Sequence, residues 1–374
     1  MKLALLTYST RPRGGVVHTL GLAEALVDQG VDVTVVSIGR HGDRGFFRPI
    51  DERVSVQLVP FADVPGEDVG DRIIRSIHAM ACGVDWRAFD VVHAQDCISA
   101  NAAPRCVRTI HHLDHFTTPE LAACHERAIV DPIAHVCVSK AVAAEVRAGW
   151  SIDPLVIPNG VAAERFARAA GPTPEARAGR QAWRDRIGAP WVLAVGGIEP
   201  RKGTLELVEA FAAARPELPG HRLVVAGGET LFDYRPYRAE VVARCAELGV
   251  EPLVLGPVPD TELPALFAAS DALAMPSTKE GFGLAAMEAL AAGVPVVLSD
   301  LPVFHEVFGT TVRYGSSGGA EDRTGTGSLA AALVEAVTDP DPDQTQRGRH
   351  LAARHTWSLA ADAHLALYES LLRP

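Results

Sequence analysis

Apolar residues along this chain fall into two alternating series of short continuous runs and helix-spaced stripes. Residues 2–7 form the first run, followed by a polar loop holding Gly14 and Gly15. Beyond it Val17, Leu20, Leu22, Ala23, Leu26 and Val27 recur at helical spacing, and Gly30 stands where a helix C-terminal glycine belongs. The run at 31–38 reads as a second buried strand. Further strand-like runs lie at 54–60, 90–94, 107–111, 134–139 and 154–158, with helical stretches between several of them. Strand–helix alternation of this kind predicts a mostly parallel, doubly wound sheet. Ala, Arg, Gly and Pro then dominate residues 167–186; part of this stretch has helical composition, but the Gly-Pro-Thr-Pro cluster at 171–174 predicts a linker. The pattern restarts with runs at 191–197, 222–228, 252–258, 271–277 and 294–300, the first two ending in glycine pairs. Residues 316–327 have the composition of a flexible loop, and the last helix places Leu359, Ala363 and Leu367 on one face. The expected organisation is two α/β units, 1–170 and 187–356, joined by a linker at 171–186, with no sequence repeat between them.

Composition narrows the picture. At roughly 150 residues per domain, 374 residues fit two to three domains, and 48% apolar with 22% charged residues excludes wholesale disorder. The net charge of −11 makes a poor nucleic-acid binder, because a polyphosphate would approach against the protein's own field. No apolar run approaches the roughly 18 residues that span a bilayer, and the opening residues read as a strand rather than a signal peptide. The six cysteines (82, 97, 106, 124, 137 and 245) contain no C-x-x-C pair, so reduced thiols in a cytosolic protein are the plain expectation. Only four of the 35 basic residues are lysine (Lys2, Lys140, Lys202 and Lys279), and two of them fall in the motifs below.

Four segments could carry chemistry. Arg11-Pro12-Arg13-Gly14-Gly15 joins the first strand to the first helix, where paired glycines let backbone N–H groups approach a phosphate; a tight turn that merely needs glycine is the plain alternative. Gly196-Gly197-Ile198-Glu199-Pro200-Arg201-Lys202-Gly203 sets two cations at the start of a helix, which suits a diphosphate leaving group, against a solvated basic turn. Lys279-Glu280-Gly281-Phe282-Gly283-Leu284-Ala285-Ala286-Met287-Glu288 offers consecutive N–H donors over Gly281–Leu284, with Glu280 just before a helix. Glu288 lies inside that helix among alanines, where a carboxylate needs partners such as ribose hydroxyls; a helix with one exposed Glu is the alternative. Thr109-Ile110-His111-His112-Leu113-Asp114-His115 ends a strand, and His111 there faces the ligand crevice of a doubly wound sheet, whereas no complementary zinc-ligand spacing follows. P-loop and H-E-x-x-H motifs are absent. Two loops remain, the basic-aromatic Arg40–Arg53 with Phe46 and Phe47, and the aromatic 232–238. The first reads as a surface turn with a hydrophobic anchor or as a contact for an acceptor or anionic lipid.

Taken together these residues resemble the retaining nucleotide-sugar glycosyltransferases of family 4 (group 1). The resemblance is collinear over nearly the whole chain: Gly14-Gly15, V-x-T-I-H at 107–111, V-S-K at 138–140, I-P-N-G-V at 157–161, R-K-G at 201–203, E-G-F-G-L with Glu288 at 280–288, and S-D-L-P-V-F-H-E at 299–306. It implies the GT-B fold, two Rossmann-like domains facing a central cleft, with a C-terminal helix (about 357–374) crossing back to the first domain. It implies a nucleoside diphosphate sugar as donor, no metal or other cofactor, and transfer with retention to a small-molecule, glycan or lipid acceptor, with peripheral membrane contact not favoured. Glu280 then resembles the donor-sugar carboxylate, with sugar hydroxyls on the backbone of Gly281, Phe282, Gly283 and Leu284; Glu288 resembles the ribose ligand. Arg201 and Lys202 would hold the diphosphate, His111 would contact the sugar, and Gly14-Gly15 would lie close to the phosphates. Three positions depart from the usual pattern. Gly197 stands where many relatives have Arg, and Pro302 and Val303 stand where relatives often have Gly-Gly. A nucleotide-sugar epimerase and a non-catalytic sugar-nucleotide binder are the alternatives; intact Glu280, Lys202 and His111 argue against the latter.

Overall fold

The computed structural model describes residues 1–40, 42–113, 118–228, 234–316 and 328–373. Asp114, His115, the start of the 232–238 loop and all but the first residue of the 316–327 segment lie outside them. The chain divides into two units, Met1–Gly160 with His355–Pro374, and Val161–Arg354.

The first unit is a seven-stranded, wholly parallel sheet. Its strands are β1 (Lys2–Thr7), β2 (Asp32–Gly39), β3 (Ser55–Pro60), β4 (Val91–Ala94), β5 (Val107–Ile110), β6 (Ala134–Cys137) and β7 (Leu155–Val156), in the order β3-β2-β1-β4-β5-β6-β7. Leu3 pairs with Val33 on one side and Val91 on the other, so β1 is central, and its last five residues are buried. The order reverses between β1 and β4, which makes the C-terminal ends of these two strands the switch point where open α/β sheets form ligand sites. All seven strand-like runs of the sequence are strands.

Helix Gly14–Asp28 covers one face of this sheet, and the last helix, Trp357–Leu372, packs against it. A Cβ at Gly21 would overlap the Trp357 ring, so only glycine admits this approach. The buried face of the last helix is Ala360, Ala361, His364 and Tyr368, whereas Leu359 is 60% exposed. Of the expected Leu359–Ala363–Leu367 face, Ala363 and Leu367 are partly buried against the first unit's core, and Leu359 alone is corrected to an exposed position. Two of the buried residues are polar-tipped, and they find partners inside: the Tyr368 hydroxyl lies 2.6 Å from His93 Nδ1, and His364 Nδ1 lies 2.7 Å from the Ala360 carbonyl.

The second unit repeats the architecture with six parallel strands: β8 (Trp191–Val195), β9 (Arg222–Ala226), β10 (Leu253–Gly256), β11 (Ala272–Met275), β12 (Val296–Ser299) and β13 (Arg313–Gly315), ordered β10-β9-β8-β11-β12-β13. The switch point here is β8/β11. Only β13 was not foreseen; three residues, of which Gly315 alone is buried, leave no apolar run.

The expected linker at 171–186 is instead the body of a helix, Pro174–Ile187, within the second unit. Thr173 caps its start by accepting from the Ala176 N–H, Pro174 sits at the first turn, and Gly188 ends it in the left-handed region at φ 72. Only Trp183 and Ile187 are buried in it, which is why the apolar stripe is faint. Trp183 Nε1 donates to the Glu262 carbonyl at 3.2 Å, and the helix packs on Leu263–Ala269. The division falls earlier, after Gly160.

Candidate active site

In the second unit, Arg201 and Lys202 stand on a single 3-10 turn, Pro200–Lys202, between β8 and helix Thr204–Ala214. Gly203 follows at φ 64, and a Cβ there would overlap the Pro276 carbonyl, so glycine is required on both counts. The Thr278 N–H donates to the Arg201 carbonyl at 2.9 Å. These two contacts tie the basic turn to the segment after β11, and they explain why residues 78 positions apart meet. Lys202 Nζ lies 2.6 Å from Glu280 Oε2, and Arg201 Nη1 lies 3.7 Å from the same oxygen. Arg201 Nη2 also reaches Glu199 Oε1 at 2.9 Å. The remaining Glu280 oxygen accepts from the Gly281 N–H at 3.3 Å. Side chains of Lys202 and Glu280 are 18% and 15% exposed, so this ion pair is partly shielded from water while open at one edge.

The paired glycines of β8 and β9 have a packing role. A Cβ at Gly227 would overlap the Gly196 carbonyl, and the backbones meet there. Gly197 is half-buried beside this contact.

Gly281, Phe282 and Gly283 are buried ahead of helix Leu284–Ala292. Phe282 is 3% exposed and anchors the loop, while Gly283 adopts φ 99 as the helix cap and Leu284 opens the first turn. A helix start leaves its first N–H groups without intrahelical acceptors. Glu288, one turn further, is half-buried, and burial pushes its carboxyl up to about 8. Arg165 opposes that shift and Asp260 reinforces it; the two side chains pair at 2.8 Å. Arg165 and Asp260 were not foreseen, since neither lies in a recognisable motif.

In the first unit, Gly14 and Gly15 are the first helical residues rather than a loop, behind the cap residue Arg13. Gly14 opens to free space, whereas a Cβ at Gly15 would stand 3.7 Å from the ring of His111. His111 follows β5, the strand beside the switch point, and is half-buried, its Nε2 lying 3.3 Å from Oε1 of buried Gln95, which follows β4. His18 packs edge-on to it, ring centres 4.8 Å apart, and is held by Asn159 at 2.9 Å. Burial holds His18, His93 and His111 well below the usual imidazole value and brings His364 down to about 4. The four rings are therefore neutral at pH 7. Gln95 and His18 escaped notice because their partners lie 16 to 141 residues away.

The structure thus brings Glu280, Lys202 and Arg201 together in one unit, with Gly281–Leu284 and Glu288 on adjoining turns, and Gly14, Gly15 and His111 together in the other. In the Arg40–Arg53 loop, Phe46 and Phe47 pack on the first unit's core, Arg48 pairs with Glu24, and Arg53 pairs with Asp28 and Asp51. That matches the anchored surface turn and gives no support to lipid contact. Among the described residues no cluster of three or more His, Cys, Asp or Glu could hold a metal, and no helix is long and apolar enough to cross a membrane.

Comparison with known proteins agrees with this arrangement. Residues 179–349 match the model of group 1 glycosyl transferases, and residues 12–165 match that of glycosyltransferase family 4. The chain is 29% identical to a phosphatidyl-myo-inositol mannosyltransferase of Propionibacterium freudenreichii, covering 96% of this chain and 91% of the relative. It is likewise 29% identical to a glycogen synthase of Mycobacterium tuberculosis, covering 94% and 89%. Sucrose-phosphate synthase of Thermosynechococcus elongatus superposes with a TM-score of 0.77 at 18% identity, covering 99% of each chain. Anabaena HepE, solved with UDP and glucose, gives 0.73 at 19% identity, covering 99% of this chain and 100% of that one. The two parallel α/β units are those of the GT-B fold. The chain belongs to the group 1, family 4 glycosyltransferases.

Proposed function

We propose that this glycosyltransferase moves a sugar from a nucleoside diphosphate sugar to an acceptor hydroxyl with retention of anomeric configuration and without a divalent metal. The observation that carries this reading is the convergence of Lys202 and Arg201 on one oxygen of Glu280. A diphosphate entering here meets two cations already positioned for its negative oxygens. Lys202 exchanges Glu280 for phosphate, and the freed carboxylate accepts from hydroxyls of the donor sugar. Helix-start N–H groups at Gly283 and Leu284 supply donors on the adjoining turn. Glu288 in its ionised form accepts from a ribose diol.

Chemistry follows from charge. As the glycosidic C–O bond breaks, its electron pair stays on the diphosphate oxygen, where Lys202 and Arg201 stabilise it. That oxygen takes the acceptor hydroxyl's proton while the acceptor oxygen bonds to the anomeric carbon on the same face. Neutral His111 contributes a hydrogen-bonding ring to a sugar hydroxyl. HepE is solved with UDP and with UDP-glucose, and the relatives include a phosphatidyl-myo-inositol mannosyltransferase and a glycogen synthase, which sets the breadth of the donor and acceptor panels below.

The test is incubation with isotope-labelled UDP-, GDP- and ADP-sugars and a panel of glycan, lipid and small-molecule acceptors, in excess chelator, with NMR of the product's anomeric configuration. A retained-configuration glycoside is expected, with turnover of Lys202→Ala reduced on the order of 10²–10³-fold. Near-normal turnover of that variant, or an epimerised donor with no transfer, refutes the reading.

A further inference from the structure

A second cluster of reactive side chains lies in the first unit, apart from the residues assigned to glycosyl transfer. Cys97 opens helix Cys97–Ala102, Arg108 projects from β5, and His125 lies on helix Pro119–Val130. The three converge on one sulfur. Cys97 Sγ stands 3.5 Å from His125 Nδ1, and Arg108 Nη2 donates to it at 3.8 Å.

Arg108 makes the arrangement unusual. It is 5% exposed, and its Nε has no hydrogen-bond partner. Among the described residues its guanidinium is otherwise satisfied by the carbonyls of Thr109 (2.5 Å) and Ala94 (3.5 Å), with no carboxylate in ion-pair contact. Asp96 interacts with it electrostatically without an ion-pair contact, its oxygens being engaged by the Ser99 N–H and hydroxyl and by the Tyr8 N–H. A buried cation with no carboxylate in contact is costly. Sulfur beside it is a group that becomes an anion by giving up one proton, and His125 is in reach to take that proton. Neighbouring Arg127 is directed at Cys124 instead, at 3.2 Å.

We propose that Cys97 is held as a thiolate by Arg108 and His125 and is a site of covalent modification by hydroperoxides and other soft electrophiles. The S–H proton passes to the imidazole. With a hydroperoxide, the thiolate attacks one peroxide oxygen, an S–O bond forms and the O–O bond breaks. Sulfur is oxidised by two electrons to a sulfenic acid, the peroxide is reduced, and the departing oxygen takes the imidazolium proton to leave as water or an alcohol. Cys97 is half-buried, so a small reagent can reach it. Cys106 and Cys137 are buried, and burial pushes their thiols up to about 11 and about 12. Exposed Cys82 serves as the internal reference.

The experiment treats the full chain with limiting iodoacetamide between pH 5.5 and 9 and follows each cysteine by peptide mass spectrometry. At pH 6, Cys97 should react at least tenfold faster than Cys82, with a rate that levels off below pH 8 while that of Cys82 keeps rising. His125→Ala should slow Cys97 at pH 6 by about tenfold and leave Cys82 unchanged, which also reports that the fold is intact. Hydrogen peroxide with dimedone present should yield an adduct at Cys97 that Cys97→Ser lacks. The proposal is overturned by Cys97 and Cys82 rising in parallel with pH, by a His125→Ala rate equal to wild type, or by peroxide treatment leaving Cys97 without an adduct.

Discussion

Glu288 is a carboxylic acid whose proton is retained where an exposed one would be lost. Burial holds it at about 8, against an ordinary glutamate near 4.5. The folded chain therefore keeps this proton between those two values while the unfolded chain releases it. Its stabilising share is complete below pH 4.5 and is lost as pH rises through 8. Glu288→Gln, neutral throughout, should gain on wild type in melting temperature between pH 6 and pH 9; a constant difference across that range contradicts the assignment. Donor binding runs the opposite way, since a ribose diol binds the ionised form. What the sequence showed of this residue was a lone carboxylate among alanines. Arg165 and Asp260, which tune it, were out of sight because they are contributed by separate elements of the second unit.

Elements were legible where burial is two-sided. Central strands such as β1 are continuous apolar runs, and each was visible as such. Helix Pro174–Ile187 was misread because it buries only two side chains; its Thr173 cap and Gly188 terminator were better guides than its apolar content. In the last helix the most buried positions are Ala360, Ala361, His364 and Tyr368, two of them polar-tipped, so the spacing of Leu359, Ala363 and Leu367 alone does not mark the centre of its buried face. Among the turns, the one that joins Lys202 to helix Thr204–Ala214 is the most tightly constrained. Gly203→Ala adds a left-handed non-glycine residue, about 1–3 kcal/mol, and a collision with Pro276. The variant should lose at least that much in urea denaturation, and its Lys202–Glu280 contact should loosen, seen as weaker donor binding. Unchanged stability would show that the turn can relax.

At the scale of the whole molecule, chain order and spatial order disagree. The first unit contains residues 1–160 and also 355–374, with the entire second unit inserted between them in sequence. Ala360, Ala361 and Tyr368 belong to the same apolar cluster as Leu3, Leu20 and Val33. Removing His355 onward strips that cluster of one wall and leaves His93 without its tyrosine partner. Hydrogen exchange on a chain ending at Arg354 should show protection lost across β1, β4 and helix Gly14–Asp28 but kept in β8 to β12. Uniform protection in both units would mean the terminal helix is dispensable.

That insertion has a consequence for biosynthesis. A ribosome adding about 5–20 residues per second needs on the order of ten to forty seconds to cross the second unit, and throughout that interval the nascent N-terminal half waits with a sticky flank uncovered. Residues 355–374 supply a missing wall of that sheet's apolar cluster, so this wall is contributed by chain made after the whole second unit.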